Sequence, residues 1–461
     1  MTQASILIGR SAITGYTAAA SKGDGSPRMK SNAGSESRFS AVEQRLRILL
    51  AGAIGNVLEW YDFGLYGLLA PVLASLFFPG EDRIAALLGV YGGFAVGFVM
   101  RPVGAYVLGH LADRVGRRFV LVLSVLLMGL STIAVGMLPT HRIVGVWAPV
   151  LLILVRMVQG FSVGGEFVDS VTYLVESAPA NRRGVMGSVA NLGSTGGMLL
   201  AAGVAAIVTS LVAPDVLSAW VWRVPFLFGG VIASAAYLLR RHLPATAEEL
   251  EERERPKKEA PLRMAIRKQP GILLATLFFT SGYGIVNYLT MVLLPTYAQE
   301  FGRVGEGTAL RINAIGQALA LFVVPLSGWL SDHAWRRRTA LAVAFGAEAL
   351  IAWKAFGLVA NHGEAGLWLA QLAFAFLLAM VMGCAPAMLS EQFESEYRVS
   401  AHAVAFNIGI GIMGGTAPMV AMALIRKTSS VMAPAVYLMF AALMATVSAL
   451  MLKDHSRKAI E

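Results

Sequence analysis

Glu59 and Asp62 stand three residues apart in the stretch GNVLEWYDF, on one face of any helix built there. Both fall about twelve residues into an apolar run that starts near Ile48, and Arg156 falls about ten residues into another that starts near Val146. At such depth in a hydrocarbon layer each charge costs about 2.5–3.5 kcal/mol on insertion scales, so charges there are rare without a function. An unpaired carboxyl in that setting is neutral at pH 7, and an adjacent arginine keeps it ionised. The chemistry this allows is reversible protonation: Asp62 alternates between a pair with Arg156 and a protonated form, coupling proton entry to binding of a solute. Two other readings of the same residues stand beside it, a permanent structural pair and Glu59 as the proton carrier.

Arg101 and Arg223 are the next candidates, because a guanidinium presents a bidentate fork to a carboxylate. Their alternatives are a helix-packing pair with Glu166 for Arg101 and snorkelling to the interface for Arg223. Tyr283, Asn287 and Tyr288 recur at helical spacing and either hydrogen-bond a solute or pack as aromatics. Trp60, Tyr61, Phe63 and Tyr66 flank the acidic pair, as a cation–π wall for a quaternary ammonium or as core rings. Lys354, six residues from Glu348, reads as a snorkelling lysine, and His402 as a packing histidine. There is no P-loop, no Ser-His-Asp context and no metal-ligand spacing, which argues against an enzyme and against any cofactor beyond a proton gradient.

The elements that must position these residues follow from composition. Of 461 residues, 56% are hydrophobic and 14% charged, with mean hydropathy +0.64, which excludes disorder, coiled coil and a disulfide-stapled secreted fold. Twelve apolar stretches long enough to span begin near Ile48, Ile84, Arg118, Val146, Val185, Trp220, Gly271, Ala309, Thr339, Leu367, Val399 and Val431. The predicted fold is an all-α membrane protein, twelve transmembrane helices in two pseudo-symmetric six-helix halves. Residues 1–44 read as a disordered tail, 45–241 as the N-terminal half, 242–269 as a charged linker, 270–452 as the C-terminal half and 453–461 as a second tail. Met29 is an alternative start to Met1. Of 38 Lys and Arg residues, 28 fall on one side of this topology and six on the other. That asymmetry places both termini in the cytoplasm and explains the net charge of +10 without nucleic acid.

An internal repeat supports the division into halves. GHLADRVGRRFVL after span 2 matches SGWLSDHAWRRRTAL after span 8, with Asp113 and Asp332 219 residues apart. Glu176 with Arg183, and Glu391 with Arg398, repeat at an offset of 215. Duplicated halves with a midplane site between them are an architecture of secondary transporters. The carboxylate of Asp113 can pair with Arg117 or accept from the first N–H groups of the next helix.

GHLADRVGRR, RMVQG from Arg156 and the segments GNVLEWYDF, RPVG, QGFSVGGE and WVWRVPF resemble the major facilitator superfamily, and within it the metabolite:proton symporters. That branch holds proline/betaine, 2-oxoglutarate, citrate and shikimate permeases, and the resemblance runs from about residue 48 to 452. It implies alternating access, with Asp113, Arg117, Arg118, Glu176, Arg183, Asp332, Glu391 and Arg398 as an inside gate. It also points to Asn407, before the glycine run of span 11, as a solute contact. Trp335 stands where the family has glycine and no proline follows Phe393, so a weaker or differently shaped second gate is expected. The implied function is proton-coupled symport of a small carboxylate-bearing metabolite, a zwitterion or a di- or tricarboxylate, by a monomer in a bacterial inner membrane. A proton-independent facilitator and a drug/proton antiporter are the alternatives; the latter lacks its proline in Gly193-Ser-Thr-Gly196-Gly197.

Overall fold

The computed structural model describes residues 54–163, 166–179, 181–240 and 261–456, excluding the side chains of Asp113, Arg117, Arg118, Glu166, Phe167, Asp169, Arg240 and Pro261. The expected N-terminal tail and the first part of the expected linker lie outside the described residues. No strand occurs among those described. Eight helices are long and apolar enough to cross a membrane, two further pairs do so as bent spans, and Trp147–Ser162 is a shorter apolar helix. The 54-residue run Arg337–Ser390 folds back at Gly363, whose φ of 53° favours a residue without Cβ, and so supplies two passes.

The passes are α1 (Ile54–Leu68, bent by 63° into Ala70–Phe77), α2 (Arg83–Val115) and α3 (Arg117–Met137). α4 comprises Trp147–Ser162 and the further helix Glu166–Glu176, and α5 is Arg183–Leu211. α6 is Pro214–Val221 bent by 46° into Arg223–Leu239, and α7 is Pro270–Glu300. α8 is Glu306–His333, α9 covers 337–362 and α10 covers 364–390. α11 is Arg398–Thr428, with a π-helical stretch Asn407–Gly414, and α12 is Ala433–Met451. The short helix Pro261–Lys268 falls within the stretch expected as linker. Its Ala265 packs with Phe393, Tyr397 and Ala401 at the α10–α11 connection.

Two seams join the first six passes to the last six: α5 runs along α8, and α2 along α11. Small residues make the first seam close. A Cβ on Gly184 of α5 would lie 2.4 Å from the Gly328 carbonyl, and one on Gly328 of α8 would lie 2.7 Å from that of Gly184. Large apolar side chains such as Leu130, Leu350 and Phe440 point outward, as a lipid-facing surface requires.

Candidate functional site

Asp62 and Arg156 meet in the centre of the first six passes, both fully buried, with Arg156 Nη1 donating to Asp62 Oδ2 at 3.0 Å. The other carboxylate oxygen accepts from Thr132 Oγ1 at 2.8 Å and Gln159 Nε2 at 2.7 Å, while Arg156 Nη1 also donates to Gln159 Oε1 at 2.8 Å. The carboxylate therefore has three polar partners, which satisfy its oxygens without water. Nε and Nη2 of Arg156 have no hydrogen-bond partner among the described residues; its guanidinium carbon lies 4.3 Å from the Tyr66 ring centroid and 4.7 Å from that of Phe63. One turn before Asp62, Glu59 pairs with Arg101 at 3.0 Å. The Arg101 guanidinium is packed 4.3 Å from the Phe98 centroid and 4.4 Å from that of Phe63. Glycines permit this convergence: a Cβ on Gly160 of α4 would sit 1.8 Å from the Gly97 carbonyl of α2, and one on Gly104 would sit 1.9 Å from the Phe161 carbonyl.

A cavity lies between the two sets of six passes. Trp60, Asn191 and Ser194 reach it from one side and Tyr283, Asn287, His402 and Phe406 from the other. Among the described residues its lining holds no Asp, Glu, Lys or Arg. A smaller continuation shares Trp60, Ser194 and Asn287 and adds Thr195 and Gln317. Two of the lining atoms, Trp60 Nε1 and His402 Nδ1, are buried without a hydrogen-bond partner. Aromatic rings connect the cavity to the ion pairs: Trp60 stacks on Tyr288 at 6.4 Å, and Tyr288 meets Phe94 and Phe98 edge-on.

Four residues expected at the solute sit elsewhere. Arg101 is paired with Glu59 and lines neither the cavity nor its continuation. Arg223 starts the second arm of α6, donates to the Leu138 carbonyl at 3.2 Å and lies over Trp222, so it closes the end of α3. Asn407 turns back to the Ala403 carbonyl of its own helix at 2.9 Å, satisfying backbone next to the π-helical stretch. Tyr66 donates to the Val90 carbonyl at 3.0 Å and faces Arg156. Gln159, Thr132, Asn191 and Ser194 were not foreseen. Gln159 lies three residues after Arg156 on the same face, a spacing that could have found it.

Ion pairs tie the two sets of passes together at both ends. At the Arg-rich end Asp332 accepts from the backbone N–H groups of Gly184 (2.8 Å) and Val185 (3.0 Å), at the N-terminus of α5. Arg337, buried, bridges Asp332 at 2.7 Å and Glu391 at 2.5 Å, and Arg183 approaches Glu391 at 3.6 Å. Arg398 pairs with Glu176 across the seam. The second copy of the repeat, expected to be weaker or differently shaped, builds a dense buried cluster, and its glycine-to-tryptophan change at Trp335 leaves that side chain exposed and outside the pairing. Arg337 was missed, although the 219-residue offset carries Arg118 onto it. Asp454, just past α12, is held below the usual carboxylate range: burial pushes it up, but N–H groups of Ser456 and Arg338 and the nearby Arg337 outweigh that. The side chains of Asp113, Arg117 and Arg118 lie outside those described. At the opposite end Arg83 meets Glu300 at 2.9 Å and Arg426 meets Asp82 at 3.1 Å.

Twelve helical passes in two sets, closed at both ends over a central cavity, define a membrane transporter fold. The chain belongs to the Major Facilitator Superfamily, whose family model matches residues 52–418. The glycine betaine/proline/ectoine/pipecolic acid transporter OusA of Dickeya dadantii is 31% identical, over 90% of this chain and 85% of that one. The proline/betaine transporter of Escherichia coli K12 is 30% identical with the same coverage. The shikimate transporter of that organism is 31% identical over 90% of this chain and 96% of its own. Among solved structures, a D-xylose-proton symporter superposes with TM-score 0.70 at 18% identity, covering 90% of this chain and 98% of that one.

Proposed function

We propose that this protein is a proton-coupled symporter, not an enzyme, that accumulates a small zwitterion of the proline or betaine type. The observation that carries the choice of solute is a cavity lined, among the described residues, by no charged side chain. A di- or tricarboxylate moved out of water needs fixed cations, and both nearby guanidiniums are already neutralised, Arg101 by Glu59 and Arg156 by Asp62. A zwitterion carries no net charge. Its ammonium fits against Trp60, Tyr283 or Phe406, and its carboxylate fits neutral donors such as the Asn191 and Asn287 amides and the unpartnered Trp60 N–H. The names of the proline/betaine relatives support the same class.

The coupling reading gives Asp62 the proton. Protonation from outside cancels its charge and loosens its pair with Arg156, which packs under the Tyr66 and Phe63 rings rather than in the cavity. The sets of passes then rock as rigid bodies, with Asp332, Arg337, Glu391, Arg183, Glu176 and Arg398 parting at the cytoplasmic end. Twenty-eight of 38 basic residues at that end support an inner-membrane orientation with both termini in the cytoplasm. The working unit is a monomer, and the proton gradient is the only other requirement.

The test is uptake into proteoliposomes under an imposed inward proton gradient, with proline, glycine betaine, 2-oxoglutarate, citrate and shikimate compared and each repeated with a protonophore. Protonophore-sensitive accumulation of proline or glycine betaine is expected. Accumulation of citrate or 2-oxoglutarate alone would overturn the zwitterion assignment, and protonophore-indifferent uptake would make the protein a facilitator.

A further inference from the structure

Five acidic side chains are buried among the described residues: Glu59, Asp62, Asp332, Glu348 and Glu391. Four of them pair with arginine. Glu348 is the exception: it is 0% exposed, and neither Oε1 nor Oε2 has a hydrogen-bond partner. It shares the buried face of α9 with Phe345, Ala349 and Ala352, while Lys354, on the same helix, is exposed.

The elements packed around α9 and α10 offer it no counter-charge. Within α12 the one titratable group is Tyr437. The charged groups of α8, namely Glu306, Arg311, Asp332 and His333, are confined to its two ends. Glu364 and Cys384 are the titratable groups of α10, and those of α4, α5 and α11 nearest this run belong to the Arg-rich end cluster, with His402 at the cavity. α7 carries Tyr283, Tyr288, Tyr297 and Glu300, and of these Tyr283 packs on the Glu348 face through Phe345. The Tyr283 ring packs against Phe345, one turn before Glu348, at 6.3 Å between centroids, and Tyr283 also lines the cavity.

We propose that Glu348 is a second proton-binding site, in the last six passes, which exchanges its proton with the solute cavity past Tyr283. An ionised carboxylate without a partner in a dry interior costs several kcal/mol, so in the closed state the group carries its proton. When an end opens and water enters the cavity, the carboxylic O–H bond breaks, water takes the proton and the carboxylate is left solvated. Re-protonation on the other side reverses the step. With Asp62 carrying one proton, each cycle then moves two.

This rests on the symport reading above, and the experiment separates the two. Proteoliposomes are given a one-unit inward pH gradient with the membrane potential clamped to zero, and the limiting accumulation of glycine betaine is read. Each coupled proton contributes about tenfold per pH unit, so the wild type reaches about 100-fold and Glu348→Gln about 10-fold, with Glu348→Asp close to wild type. Equal accumulation by wild type and Glu348→Gln would overturn the second site while leaving symport intact. No accumulation by the wild type would overturn both. Infrared difference spectra of the solubilised wild type provide a readout independent of flux. A carboxylic acid carbonyl band should change on adding glycine betaine and be missing from Glu348→Gln. A band unaffected by solute and by pH would identify a permanently neutral structural acid and overturn the proposal.

Discussion

The Asp62–Arg156 pair is fully buried, so its two members do not contribute equally to what a substitution reveals. Asp62→Asn keeps the shape and an acceptor for Thr132 but leaves the guanidinium uncompensated, a loss of about 3–5 kcal/mol for a broken buried pair. Proton-driven accumulation should fall by the tenfold per pH unit that one coupled proton supplies while solute exchange across proteoliposomes persists, and loss of both would remove the coupling role. The melting temperature of the purified variant should fall, and Asp62→Asn combined with Arg156→Gln should recover part of it. Trp60 allows a second check. A desolvated cation–π contact is worth about 2 kcal/mol, close to a 30-fold change in affinity. Trp60→Leu should therefore raise the KM for glycine betaine by about 30-fold and Trp60→Phe by less; an unchanged KM would take the ring out of the site. The acidic pair and Arg156 were legible in the sequence because charge in an apolar run is conspicuous. Gln159, Thr132 and Asn191 were not, since neutral polar residues are common in spanning helices and only packing tells which of them faces a carboxylate or a cavity. Arg223 and Asn407, expected at the solute, here donate to neighbouring carbonyls, a use that residue type alone does not reveal.

Glycine decides how closely α1, α2, α4 and α5 approach, and two neighbours on α5 make a controlled comparison. A Cβ on Gly197 would lie 2.5 Å from the Val57 carbonyl of α1, whereas one on Gly196 meets nothing within 4 Å. Gly196→Ala should leave transport unchanged and stabilise the helix by up to about 1 kcal/mol. Gly197→Ala should push α1 off α5 at an overpacking cost of about 1–3 kcal/mol, lowering both thermal stability and the rate of uptake. Similar behaviour of the two variants would show that the seam has slack. The twelve passes themselves were readable from hydropathy, and the second to twelfth, whose starts are described, begin within six residues of the expected positions. Their breaks were not. The 63° bend in α1 and the π-helical stretch Asn407–Gly414 arise where tertiary packing overrides a continuous apolar pattern, whereas the turn at Gly363 falls between the stretches expected to start near Thr339 and Leu367. The glycine run of α11 was nonetheless visible as a place able to bend.

Both ends of the molecule are tied, but the ties differ in burial, and that difference sets which way the resting protein leans. The Arg83–Glu300 and Arg426–Asp82 pairs are solvent-exposed to a substantial degree, with side-chain exposures of 41%/19% and 57%/49%. Pairs of that kind contribute about 0–1 kcal/mol and are screened by salt. At the Arg-rich end Asp332, Arg337 and Glu391 are almost fully buried, and Asp332 additionally holds two N–H groups at the N-terminus of α5 across the seam. Removing that carboxylate leaves the N-terminus of α5 without its acceptor across the seam and Arg337 with Glu391 alone, so the Arg-rich end should open by far more than the loss of an exposed pair would open the other. Cys384 is the single cysteine, and Cys384→Ser gives a background in which a thiol placed at the cavity, as in Ser194→Cys, reports access. Added to that background, Asp332→Ala should speed labelling by a membrane-impermeant thiol reagent from the Arg-rich side by at least tenfold, in low or high salt alike. Arg83→Ala should speed labelling from the opposite side by no more than about fivefold, the equivalent of 1 kcal/mol, and high salt should mimic it in the unaltered pair. Equal responses at the two ends would mean that burial does not set the bias, and that the closed state is held by the α5–α8 and α2–α11 seams instead.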